Sequence, residues 1–200
     1  MREALSLLLS GMVIALNCTA IILYVRQIQH GGTIPNPASW VIWAIVAGVN
    51  VTSYQAGTHD VVMSMNGYVS TGNCIFMFGY CWWRGQLREL TWTDLLAISI
   101  AVLAVITWKL SSTAWYGNAV VQAAVLMSFS LTLWGMWTEK RHEWWVPWCL
   151  WTGCHTLTLG IVLLRWKDDP YALLYPSLGI TLNTLVTLSA YHKRKLKIVT

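Results

Sequence analysis

PASWVIW at positions 37–43 and VPWCLW at positions 146–151 each set a Trp-x-x-Trp pair at the mouth of a long apolar run. Trp40 and Trp148 stand 108 positions apart (148 − 40), and a proline, Pro37 or Pro147, precedes each pair. The next apolar run after each opening carries an Asn near its middle. TGNCIFMFGY at 71–80 holds Asn73 and Tyr80, and TLNTLVTLSAY at 181–191 holds Asn183 and Tyr191. We read the repeated opening as an internal duplication.

Composition places the chain in a bilayer. Of its 200 residues 56% are hydrophobic and only 10% charged, with a mean hydropathy of +0.52. A soluble domain carries about 25% charged residues and uses them to cover its surface. Seven apolar runs are long enough to span, at about 5–25, 39–56, 61–83, 92–110, 115–137, 146–164 and 171–191. Hydrocarbon offers backbone groups no partner, so each run is expected to be a helix. The first run is too long for a cleaved signal, and positions 1–3 carry little charge.

Charge orients the runs. With the N-terminus outside, the inner loops hold Arg26, Arg84, Arg88, Lys140, Arg141, Lys193, Arg194, Lys195 and Lys197, nine of the 13 basic residues. The outer side holds Arg2, Lys109, Arg165 and Lys167. The positive-inside rule therefore expects a multi-pass protein with its N-terminus outside and its C-terminus cytoplasmic. The net charge of +5 follows from that bias, and no basic patch interleaved with aromatics points to nucleic acid. The five cysteines fall inside the runs at no metal-binding spacing, so no metal or cofactor is expected. Most of the 14 tryptophans sit at run ends, where an indole belongs at headgroup level.

The order of runs is three, one, three. Two three-helix units in tandem would lie in opposite senses, and one inserted span restores a parallel sense. The expected fold is an all-α integral membrane protein. Its seven transmembrane helices form two parallel three-helix bundles, at 1–89 and 113–200, joined by a linker helix at 90–112. Parallel repeats about an axis along the membrane normal are an arrangement of transporters.

That layout, with its size, its orientation and its paired Asn, resembles the SWEET sugar transporters and the wider PQ-loop group. YVRQIQHGGTIPNPASWVIW at 24–43 looks like a PQ-loop entry, with Arg26-Gln27 where the family has Pro-Gln. The resemblance implies alternating-access transport of a small, neutral, polar solute. It matches Asn73 and Asn183 to the family's substrate-binding Asn pair, and it alone makes Gln27 a gate residue.

Polar groups at mid-membrane are costly and mark function or helix pairing. Asn17, Asn73, His155 and Asn183 fall near the middle of their runs, with Asn50 somewhat further out. Asn66, Asn73 and Tyr80, seven apart, share a helix face. Asn17 and Asn50 read first as glue between helices, and Asn73 and Asn183 as a central site assisted by His155 and Asn50. His155 stands where the first half has Ala47, so it breaks the symmetry; a bond to solute, a proton-linked role and a bond to a neighbouring helix are all open to it. Trp43 and Trp151, one turn inside the inner mouth, are expected to gate it. The carboxylates Asp60, Asp94, Asp168 and Asp169 lie at run ends, which favours facilitative movement over an acidic ion relay.

No His-Glu-x-x-His, no Ser-His-Asp set and no deep carboxylate pair is present, so an enzyme is not expected. The last run has no lysine for a retinal Schiff base. The expected partners are a small-molecule solute and the lipid bilayer, and a homo-oligomer stays open. The alternatives are a receptor of KDEL-receptor-like layout and a structural membrane protein.

Overall fold

The computed structural model describes residues 1–31, 33, 37–84, 92–110, 114–138 and 143–199. Arg88, Lys140 and Arg141 of the charge count lie outside the described residues, as does the centre of the 24–43 stretch. The side chains of Asp94, Trp108, Trp115, Lys195 and Lys197 are likewise outside them.

The described chain is all helical. Its elements are α1 (Arg2–Gln29), α2 (Pro37–Thr58), α3 (Val61–Trp83), α4 (Trp92–Leu110), α5 (Ala114–Thr138), α6 (Trp145–Leu164) and α7 (Leu174–Val199). A 3-10 turn, Pro170–Leu173, precedes α7. Each expected run is a helix; α3 and α4 have the expected ends, and the ends of the others differ. The run expected at 171–191 opens as this 3-10 turn, because Asp169 accepts a hydrogen bond from Tyr171 N and Pro170 holds the first position. It then continues through the basic tail to Val199.

Among the described residues, four stretches are long and apolar enough to cross a membrane: Arg2–Gln29, Asn118–Thr138, Trp145–Leu164 and Pro170–Arg194. In α3, Ser64, Asn66, Ser70, Thr71 and Asn73 interrupt the apolar run, and Ser64 and Asn66 are turned inward and buried. The distribution of side chains is that of a membrane protein. Leu8, Ile22, Ile75, Phe76, Leu103, Leu163 and Leu188 face outward, while Asn17, Asn50, Ser53, Asn66, Asn118 and Gln122 are buried. Water would drive the opposite arrangement; lipid leaves polar groups to find partners inside the bundle.

Helix α3 packs on both α1 and α2, and α7 on both α5 and α6. Across the two groups α1 packs on α6 and α2 on α5, while α4 lies against α5 and α2. At Gly67 a Cβ would stand 2.7 Å from Val51 Cγ2, so the bare glycine lets α2 and α3 approach closely. Buried residues of α1, α2 and α3 (Tyr24, Trp40, Met77 and Cys81) pack at one end, and Val13, Met63, Ile161 and Val162 pack α1, α3 and α6 at the other.

Candidate functional site

A cavity of about 100 Å³ lies where α2, α3, α5, α6 and α7 meet. Asn50, Asn73, His155 and Asn183, the expected binding residues, all line it, as do Trp43 and Trp151. Gln27 is not brought to it; it is half-buried near the C-terminus of α1, a turn beyond Tyr24. Among the described residues no charged side chain lines the cavity.

A chain of amides backs Asn73 and His155 of the cavity wall. Asn17, buried on α1, donates through Nδ2 to Val13 O at 3.1 Å and to Asn66 Oδ1 at 2.9 Å. Asn66 Nδ2 in turn meets His155 Nδ1 at 3.3 Å, which joins α3 to α6. Asn73 reaches back through Nδ2 to Asn17 O at 3.4 Å. The His155 ring lies over Gly179 of α7 and meets Tyr175 edge-on, with centroids 5.1 Å apart. Asn183 donates to Gly179 O at 2.8 Å, which leaves its Oδ1 without a donor among the described residues.

The facing wall joins α2 to α5. Asn50 Oδ1 accepts from Asn118 Nδ2 at 2.8 Å and from Gln122 Nε2 at 2.7 Å, and Asn118 also donates to Ser53 Oγ at 3.1 Å. Asn50 thus both binds helices together and lines the cavity. Asn118, Gln122, Tyr175 and Gly179 were not among the expected residues. Asn118 and Gln122 did leave a sequence signal, two amides one helical turn apart in an apolar run. Tyr175 and Gly179 left none.

Two closures flank the cavity. At the α2 and α6 N-termini, six aromatic rings interlock: Tyr24, Trp40, Trp43, Phe129, Trp148 and Trp151. Trp40 and Trp151 meet across the two repeated openings, with centroids 6.5 Å apart, as do Trp43 and Trp148 at 5.9 Å. The Trp43 indole N–H is buried with no hydrogen-bond partner among the described residues. Above the rings Glu143 accepts from Tyr24 Oη and from Trp148 Nε1, each at 3.1 Å, and so ties α1 to α6. Glu143→Ala would orphan both donors. Hydrogen bonds to a charged group contribute about 1.5–3 kcal/mol each, so a loss of about 3 kcal/mol is expected, read as a fall in melting temperature of the purified protein.

The opposite end is ionic. Arg165 closes α6, donating through Nε to Asp60 Oδ2 and through Nη1 to Glu3 Oε2, both at 2.7 Å. Asp60 also caps α3 by accepting from Val62 N and Met63 N, and Lys167 Nζ lies 3.8 Å from it. Burial pushes the Asp60 carboxyl up. The Arg165 hydrogen bond, the Met63 N–H and the charges of Arg165 and Lys167 outweigh that and hold it below its ordinary value. Arg165 is raised, first by its bond to Glu3 and then by Asp60, and stays charged. Tyr54 Oη adds a neutral tie, donating to Ala172 O at 2.7 Å.

Chemically the site can hold a neutral solute. It offers amide oxygens, an imidazole and indole faces, and among the described residues there is no cluster of metal-ligating side chains. No protein-family model, curated protein or solved structure matches this chain.

Proposed function

We propose that the protein is a multi-pass membrane transporter that moves a small, neutral, polar solute by alternating access. In this reading α1–α3 and α5–α7 are parallel three-helix bundles, related by an axis along the membrane normal, and α4 links them. The N-terminus lies outside, as the basic residues favour.

The packing pairs support the repeat. Exchanging α1 for α5, α2 for α6 and α3 for α7 turns the pair α1–α6 into α5–α2, α2–α3 into α6–α7, and α1–α3 into α5–α7, all of them neighbours. The single observation that carries the transport reading is the cavity. It is uncharged, sits between the two groups of helices, takes an Asn from each, and has one closure at either end. Sites near the midplane at a repeat interface are where transporters hold substrate. Movement would loosen the Trp and Glu143 closure and the Arg165 closure in turn, with Trp43 and Trp151 as the inner gate.

Purified protein screened by thermal shift against sugars, amino acids, nucleosides and vitamins tests this reading. A solute that binds only the folded state raises the melting temperature with its concentration, by about 2.7 kcal/mol of stabilisation at a hundredfold excess over Kd. Asn73→Ala and Asn183→Ala are expected to abolish that response while remaining folded. A panel with no hit, beside variants that merely melt earlier, would make the two amides helix glue and end the transport reading.

A further inference from the structure

We infer that Asn66 is a positioning residue that holds His155 as the neutral Nε2–H tautomer, so that the ring offers the cavity a hydrogen-bond donor. The solute then turns an acceptor toward it, a carbonyl, ether or hydroxyl oxygen. The last step rests on the transport reading; the tautomer does not.

The assignment follows from one backbone oxygen. Val13 O can only accept, so the Asn17 atom 3.1 Å from it is the amide nitrogen. That same nitrogen reaches the Asn66 side chain at 2.9 Å, so the Asn66 atom facing it is the carbonyl oxygen. The other arm of Asn66 is then its NH2 group, and it faces His155 Nδ1 at 3.3 Å. A donor there needs the Nδ1 lone pair, so the ring proton belongs on Nε2. Turning over the Asn66 amide would set two NH2 groups against each other. Turning over Asn17 as well would set its oxygen against Val13 O. Two further bonds agree: Asn73 Nδ2 approaches Asn17 Oδ1 and Ser70 Oγ approaches Asn66 Oδ1, each at 3.5 Å.

The ring has little freedom to escape this assignment. A Cβ on Gly179 would lie 2.1–2.4 Å from its Nδ1, Cε1 and Cγ atoms, so the α7 backbone is pressed against one face. Tyr175 stands edge-on to it. Nε2 has no hydrogen-bond partner among the described residues, and His155 lines the cavity. A ring nitrogen's partner sets which nitrogen carries the proton, and here the partner is a side chain three helices deep in one relay.

Nitrogen-15 NMR of histidine-labelled full-length protein tests the inference without any solute. The chain has five histidines, and the spectrum of His155→Gln identifies the resonances of His155 by difference. The expected wild-type result is a pyrrole-type Nε2 and a pyridine-type Nδ1. Asn66→Leu keeps the volume and removes the donor; both ring nitrogens should then move toward intermediate shifts as the tautomers exchange. Asn17→Leu frees the Asn66 amide to turn and is expected to do the same more weakly. A pyrrole-type Nδ1 in the wild type overturns the inference by itself, even if neither variant folds. So does a His155 spectrum unchanged in a folded Asn66→Leu. If the tautomer is found and the solute panel stays silent, the relay stands and the transport reading falls.

Discussion

Gly179→Ala is expected to abolish solute binding in a protein that still folds. The added methyl would sit 2.1 Å from His155 Nδ1 and 2.3 Å from Cε1, well inside contact distance. The α7 backbone beneath it is held by helix hydrogen bonds, so the His155 ring has to move. Moving it breaks the Asn66 bond and pushes the imidazole into the cavity. Overpacking of this kind costs about 1–3 kcal/mol, small enough for a folded variant and large enough to lower its melting temperature. Gly160→Ala is the control. Its nearest neighbour would be Leu9 Cδ1 at 3.9 Å, an ordinary contact, and an Ala in a helix interior gains about 0.5–1 kcal/mol over Gly. Melting curves with and without solute separate the two. A Gly179→Ala protein that binds solute as well as wild type would show that His155 can leave without consequence.

Asp60→Ala is expected to be the most destabilising single change in the Arg165 cluster. The Asp60 side chain is 5% exposed and serves α3 and α6 at once. Its loss removes an N-cap, which contributes about 0.5–2 kcal/mol, and leaves Arg165 with the exposed Glu3 carboxylate and the Ser6 hydroxyl. Breaking a buried pair from one side costs about 3–5 kcal/mol, and the solvent that reaches Arg165 places this case at the lower end, near 3 kcal/mol. Asp60→Asn keeps an oxygen for the cap and should fall between. The pH dependence has a definite sign. A carboxyl held below its unfolded value, about 3.9, contributes stability that is full above that pH and lost as pH falls through the lowered folded value. Wild-type melting temperature should therefore drop on acidification below about pH 4, and the part due to Asp60 should be absent in Asp60→Asn. Equal acid sensitivity in the two proteins would assign the transition to other carboxyls. Under the transport reading, opening this end also exposes Cys74, a buried thiol in the cavity wall, so its labelling by a polar maleimide should quicken in Asp60→Ala.

Some of this site was legible in the residues alone. Asn73, Asn183, His155 and Asn50 stood out because a polar side chain in the middle of an apolar run is conspicuous whatever surrounds it. The Trp-x-x-Trp pairs stood out because they occur twice, and they do interlock. Gln27 rested only on a resemblance, and it lies apart from the cavity. Asn66 was legible as part of a stripe on α3, but not as the partner of His155.

Composition and run length by themselves determined an all-helical chain of membrane character and the places where polar residues interrupt its apolar runs. These are local properties, decided by each residue's own transfer free energy and by a periodicity along one helix. Tertiary structure alone decided which amide meets which. Asn17 and Asn66 are 49 positions apart and Asn50 and Asn118 are 68 apart. Whether they touch depends on the rotation of whole helices about their axes, which is set by the packing of many side chains together. The same holds for Gly179. In the sequence it is one of 14 glycines; packed against α6, it is the surface on which His155 rests.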